Sequence, residues 1–354
     1  MSSADTSVMA RGLLYTAAFV VVIAGLRAAQ ELIVPFLLAG FIAVIVAPLL
    51  FWLRRRGLPN WAALSVALLG VVVIGAVLSA VLSRSIHDFV GELPAYQDRV
   101  SAVYGDLLRT LDRHGIGGLD RDVTEALDPR AAIGFVGGLF NSLGGVLANA
   151  FLILLTVLFL LAEATVMEAK VRAVANDPDA TMAQFGAVFA EINRYIAIKT
   201  LTSLGTGLAV ALMLAILGID YAVLWGLLAF LLNYVPNIGS VIAAVPALLL
   251  ALVQLGMPAT VIAAIGYLVI NVVVGNVVEP KFMGRRLGLS ALVVFLSLVF
   301  WGWVLGPVGM FLSVPLTITL KIAMNANPGT RWAAVALGGE QDVAAANRLR
   351  DPID

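Results

Sequence analysis

Residues 233–246 read NYVPNIGSVIAAVP. Two asparagines, two prolines and a glycine stand there inside one of the most apolar regions of the chain. These residue types usually end helices, because proline lacks a backbone donor and glycine tolerates positive φ. The lengths of the flanking arms decide what the break means. Tyr221 to Val235 is 15 residues, about 22 Å of helix, and Ile238 to Val253 is about 24 Å. A bilayer core is about 30 Å thick. Each arm is short for a crossing, and the two together are far too long for one span. The stretch therefore reads as a re-entrant helical hairpin with YVPNIG at its tip, where Pro236 removes a donor and Gly239 supplies the positive φ of a tight turn. The plainer alternative is a tight surface loop between two ordinary spans.

The composition supports a membrane reading. The chain has 354 residues, 61% of them hydrophobic and only 12% charged, with a mean hydropathy of +1.00. Soluble domains carry about twice that share of charge. An all-α polytopic membrane protein follows. The formal net charge is zero, and no basic tract marks a nucleic-acid partner. The chain has no cysteine and only two histidines, His87 and His114. Disulfides and thiolate chemistry are excluded, and a metal centre, a Ser-His triad or any cofactor is not expected. No nucleotide-binding glycine motif is present either.

Apolar runs place spans at about 12–29, 32–53, 61–83, 135–161, 200–218 and 258–278. Arg11 and the run after it resemble a signal peptide, but the next span begins at Leu32, so they read as the first helix of a pair. Arg54, Arg55 and Arg56 should be cytoplasmic by the positive-inside rule. Both termini then lie inside and residues 84–132 outside. That outer region carries six arginines, nine carboxylates and no lysine. All four lysines, Lys170, Lys199, Lys281 and Lys321, fall on the inner side of this topology. Val100, Val103, Tyr104, Leu107, Leu108 and Leu111 repeat at helical spacing. They predict an amphipathic helix, serving as a strap or a partner surface. Phe185, Val188, Phe189, Ile192 and Ile196 do the same on the inside and lead into the fifth span.

A second broken unit, SLVFWGWVLGPVGMFLSVP at 297–315, resembles the first. It has a Pro307-Val308-Gly309 tip and a Val-Pro pair ending at Pro315, similar in pattern to Pro236, Gly239 and Pro246 of the first unit, with the glycine-to-proline spacing shorter by one residue. Each unit follows a full span, and the topology makes them enter from opposite sides. About six full spans plus two broken hairpins in an inverted repeat is the pattern of a secondary transporter. The chain divides accordingly. Residues 1–83 hold spans one to three, 84–133 an extracytoplasmic helical region, 134–162 span four and 163–199 a cytoplasmic helical region. Residues 200–324 form the transport core, and 325–354 a cytoplasmic tail.

Backbone groups freed at such tips can hold a polar solute. Asn233, Asn237 and Ser240 join Pro236 and Gly239 at the first tip, and Pro307 and Gly309 mark the second. Asn271, Gly275 and Glu279 follow at i, i+4 and i+8, with Asn276 three residues before Glu279. An ionisable residue in a membrane helix marks a proton or cation site. Glu279 also has a plainer reading, a span-end carboxylate paired with Lys281 or Arg285. Thr200, Thr202, Ser203, Gly205, Thr206 and Gly207 make a small, polar face on span five. Close helix packing or a pathway lining both account for it.

At these motifs the chain resembles the autoinducer-2 exporter family, or PerM-like permeases. The motifs are NYVPNIGSVIAAVP at 233–246, NVVEPKFMGRRLGLSALVV at 276–294 and LGPVGMFLSVPLTITLK at 305–321. Asn276, Pro280, Gly284, Gly288 and Leu289 fit the family's Asn-x-x-x-Pro-x-x-x-Gly-x-x-x-Gly-Leu pattern, with Lys281 inside it. Ser240 departs from a common proline, and Ser290-Ala291 from a common His-Pro. The resemblance covers most of the chain. It implies a proton- or sodium-coupled transporter of the bacterial inner membrane, exporting a small polar solute. A Na+(Li+)/H+ antiporter is the alternative, and a non-transporting membrane scaffold the second. An intramembrane enzyme has no nucleophile–base pair to work with. Uniformly apolar outer spans and short hairpins point to a homo-oligomer in the lipid bilayer.

Overall fold

A computed structural model describes residues 3–113, 138, 148–175, 177–236, 238–283, 289–325 and 329–339. Asn237, Gly284, Gly288 and Arg285 lie outside the described residues. Among those described there is helix and no strand. Among the described residues five helices are long and apolar enough to cross a bilayer, and a pair bent by 54° counts as a sixth if it forms one span. This is a polytopic helical membrane protein. By chain contacts it forms two units, residues 1–55, 151–189 and 288–354 in one and 56–150 and 190–287 in the other.

The first unit holds α1 (Ser3–Ala28), α2 (Gln30–Arg55), α4 (Ala150–Ala164), α5 (Met167–Val174), α11 (Ala291–Asn325) and α12 (Arg331–Leu337). Helix α11 is not one rod. Gly306 takes φ 68° and ψ −155°, a left-handed backbone that disfavours any side chain. The chain folds back there, and Trp301 Nε1 donates to Thr317 Oγ1 at 3.0 Å. Those residues are 16 apart and would stand about 24 Å apart in a straight helix. The second broken unit is thus a hairpin with arms 291–305 and 307–325. Its turn sits at Gly306, one residue before the expected Pro-x-Gly tip. Gly309 is buried against the opposite arm, while Pro307 is exposed and Pro315 buried. Val304 and Leu305 below the turn pack with Ile23 and Leu26 of α1 and Ile33, Val34 and Leu37 of α2. The hairpin thus reaches to within about two turns of the α1–α2 bend. The tail is not simply polar chain: α12 packs on α11, and Ser290 N–H donates to the Leu337 carbonyl at 3.4 Å.

The second unit holds α3 (Asn60–Arg113), α7 (Ala222–Leu232), α8 (Gly239–Leu255), α9 (Met257–Val273), a π turn (Val274–Val278) and α10 (Glu279–Met283). It also takes α6 (Pro178–Leu217) from residue 190 onward. Helix α3 carries one expectation further. The helix foreseen over 100–111 is the end of a single unbroken helix of 54 residues. At about 81 Å that helix far exceeds a bilayer crossing, so its distal part leaves the membrane. Helix α6 starts where Asp177 caps it, its Oδ1 accepting from Ala180 N–H at 3.0 Å, with Pro178 at the first position. It runs without a break through both the expected inner helix and span five. It ends at Gly218, where Ile219 N–H returns to the Leu214 carbonyl at 3.0 Å.

From that end α7 descends antiparallel to α6, turns, and returns as α8. Gly226 lies against Gly207, where an added Cβ would meet the Gly207 carbonyl oxygen at 2.6 Å. This close approach sets the spacing of α6 and α7. The two mouths of the hairpin are tied by Asp220 N–H donating to Gln254 Oε1 at 3.1 Å and by Gln254 Nε2 on the Asp220 carboxylate. Trp225, Leu224, Leu228, Val210, Leu214, Ala243 and Ala247 form the buried core beneath. Phe89 of α3 meets the rings of Tyr221 and Trp225 edge-on at 5.7 and 5.5 Å.

Candidate transport site at the first hairpin tip

The hairpin read from NYVPNIGSVIAAVP is present: α7 and α8 are 11 and 17 residues long, joined over 233–238. Its glycine works differently from the expectation. Gly239 has no positive φ and is the first residue of α8. It is needed for contact, because a Cβ there would lie 1.8 Å from the Leu232 carbonyl oxygen. Pro246 is buried within α8, and Pro236 and Ser240 are half-buried.

One turn of α6 binds this tip on one side and a carboxylate on the other. Asn233 Nδ2 donates to Ser203 Oγ at 3.0 Å, and the Tyr234 hydroxyl donates to Thr200 Oγ1 at 2.6 Å. Thr200 and Ser203 are i, i+3 neighbours on one face. Lys199 and Thr202 are the next such pair. Lys199 Nζ lies 2.5 Å from Glu279 Oε1, and Thr202 Oγ1 is 3.2 Å from the same oxygen. The Lys199 side chain is 6% exposed and that of Glu279 19%. Tyr195, Ser203 and Thr206 are buried along the same helix.

A buried ion pair is weak evidence for stability, since apolar residues of equal volume often serve as well. Losing one partner is different. It strands a desolvated charge and costs about 3–5 kcal/mol. The arrangement is therefore sensitive to anything that neutralises Glu279 or moves Lys199. The π turn just before Glu279 adds to this. It holds one more residue than an α turn, a feature that recurs at functional sites, and it resets the direction in which Glu279 points.

The sequence-based candidates separate cleanly. Asn233 and Glu279 come together on α6, while Gly239 packs against the Leu232 carbonyl of its own hairpin. Lys281 is exposed and Pro280 belongs to the short α10. Glu279 pairs with Lys199, not Lys281. Asn271, Gly275 and Glu279 do not keep plain α-helical spacing, because Gly275 lies inside the π turn and is exposed. Asn271 is half-buried and Asn276 exposed, and neither makes a side-chain hydrogen bond among the described residues. Lys199, Thr200, Thr202, Ser203 and Tyr234 were not singled out as site residues. Four of them were legible as a cation and a small polar face opening span five, and Tyr234 stands inside the quoted stretch.

Comparison with known proteins now adds identity to geometry. Residues 16–329 match the model of the AI-2E family transporters. The chain belongs to the AI-2E transporter family. It is 42% identical over 318 residues to the AI-2 transport protein TqsA of Escherichia coli K12, covering 90% of this chain and 92% of that one. It is 41% identical over 338 residues to a putative transport protein of Haemophilus influenzae, covering 94% and 97%. It is 38% identical over 326 residues to the putative transport protein YhhT of E. coli K12, covering 92% and 93%. The tip and the carboxylate therefore sit in a member of a transporter family, not an enzyme family.

Proposed function

We propose that the chain is a secondary transporter of the bacterial inner membrane that exports a small polar solute, with both termini cytoplasmic. The observation that carries this reading is the buried Lys199–Glu279 pair, held on the same turn of α6 as the hairpin tip. Two hairpins entering from opposite sides, as the arginine and lysine placement predicts, support alternating access. Autoinducer-2 is the solute to test first, since a relative 42% identical is called an AI-2 transport protein.

In this reading Glu279 is neutralised in one of two ways. Lys199 neutralises it in the arrangement seen here. A proton or sodium ion neutralises it in the other, and Lys199 then extends its stem toward cytoplasmic water, as long cationic side chains do at membrane interfaces. Release of Lys199 from Glu279 frees the turn of α6 that holds Asn233 and Tyr234. The gradient thereby acts on the tip. Asn276, exposed on an apolar helix among Val272, Val273 and Val277, supports self-association, which would cover that amide.

A Na+(Li+)/H+ antiporter is the second reading. It is favoured by the convergence of the Glu279 carboxylate and the Thr202 hydroxyl, oxygen ligands of the kind hard cations take. Proteoliposome flux separates the two. Autoinducer-2, sodium and lithium are tested separately under an imposed proton gradient. Solute flux without cation exchange supports export, and cation exchange alone supports antiport. Flux of none of them sinks both readings in favour of a membrane scaffold.

A further inference from the structure

Among the described residues one buried side-chain polar atom has no hydrogen-bond partner, the hydroxyl of Tyr267. The residue is 3% exposed and packs in the core of the second unit with Ala243, Ala247 and Ala263. It stands near the middle of the 257–278 span, where water is scarce. A buried hydroxyl normally finds a partner, and an orphan calls for an explanation such as a ligand or solvent. Phenylalanine would fill the same core without that cost.

Two further polar groups lie about one turn from it along the paired helices. Helices α8 and α9 pack against each other across Gly256. Tyr267 is eleven residues after that glycine and Val245 eleven before it, so Tyr267 stands level with Val245 and Pro246. Pro246 has no N–H, which leaves the Ile242 carbonyl one turn below without its helical donor. Asn271, one turn beyond Tyr267, is half-buried and makes no side-chain hydrogen bond among the described residues.

The π turn ties this level to the site below. Twelve residues of α-helix from Tyr267 to Glu279 rotate the face by roughly 120°. A π turn winds the chain back by about one residue, or roughly 100°. Tyr267, Asn271 and Glu279 thus share one face of the span, over a length of about 18 Å.

We propose that Tyr267, the Ile242 carbonyl and Asn271 form a mid-membrane subsite for a small, uncharged, hydroxyl- or carbonyl-bearing solute on its way to or from the Glu279 site. The hydroxyl donates, the carbonyl accepts and the amide does both. This rests on the transport reading, and the test separates the two.

The chain has no cysteine, so single thiols report cleanly. Tyr267→Cys and Asn271→Cys should react with a small water-soluble methanethiosulfonate in membranes, and autoinducer-2 should slow the reaction. Leu268→Cys, on the exposed apolar face beside them, should not react. Tyr267→Phe should raise the half-saturating autoinducer-2 concentration about tenfold, while its melting temperature stays level or rises. A purely structural tyrosine would give the opposite, unreactive thiols at 267 and 271 and unaltered transport by Tyr267→Phe. Either of those results overturns the subsite. Reactive thiols that autoinducer-2 does not protect also overturn it, leaving only solvent there. Absence of wild-type flux sinks the transport reading, and labelling with protection then decides the subsite alone.

Discussion

The two hairpins use one packing device and differ in what they hold. In the first, Gly239 lies against the Leu232 carbonyl, and in the second Gly309 lies against the Trp301 carbonyl, where an added Cβ would come within 2.0 Å. Each glycine lets its arms approach to backbone contact. Their surroundings diverge. The second hairpin is closed on itself by a neutral bond, Trp301 to Thr317, and rests on apolar side chains of α1 and α2. The first gives its polar groups to α6, on the turn that also holds a buried ion pair. A common backbone solution thus serves a self-closed hairpin on apolar packing in one place and a hairpin bonded to a polar, charged turn in the other.

The ion pair offers the largest test of that contrast. Glu279→Gln and Lys199→Met each strand one buried charge, and each should lower stability by about 3–5 kcal/mol. Thermal unfolding in detergent reads this directly. The double variant Lys199→Met with Glu279→Leu removes both charges and should recover most of the stability. Its gradient-driven flux should stay absent. Recovery of flux together with stability would make the pair a structural element, and the first hairpin no more chemical than the second.

The shared glycine device gives the next effect. Gly239→Ala and Gly309→Ala each press a methyl into a backbone carbonyl, which cannot move aside as a side-chain tip can. Overpacking of this kind costs about 1–3 kcal/mol. Similar losses are expected in both hairpins, measured as shifts in unfolding midpoint. A harmless Gly309→Ala with a damaging Gly239→Ala would show that the second turn relaxes around Gly306 and that the likeness is superficial.

Much of this was legible in the sequence because length and period carry it. Arms of about 22–24 Å against a core of about 30 Å identified the first hairpin before any contact was known. The Pro-x-Gly tip located the second to within a residue. What the residues did not disclose were pairings at long separation. Lys199 and Glu279 are 80 residues apart, and a nearer lysine at 281 offered itself as partner. No local rule chooses between them. The π turn was equally hidden, since VGNVV has no residue type that marks it. The role of Gly239 was misread because glycine serves both positive φ and close contact, and only the neighbour tells which.

The smallest predicted effects bear on the contrast most finely. Tyr234→Phe removes the hydroxyl bonded to Thr200, and Trp301→Phe removes the indole N–H bonded to Thr317. A single hydrogen bond of this kind contributes about 0.5–1.5 kcal/mol, and the indole also takes packing volume with it. Trp301→Phe should therefore lose as much stability as Tyr234→Phe, or more. Transport should rank them the other way. Tyr234 links the tip to the turn of α6 that answers Glu279, so its loss should loosen coupling and let solute leak without the gradient. Trp301 donates its hydrogen bond within its own hairpin, and its variant should stay coupled at reduced yield. The ratio of gradient-driven to passive flux, measured for both in proteoliposomes, is the deciding quantity. Equal ratios would place the hairpins on the same footing and leave the polar turn of α6 without a coupling role.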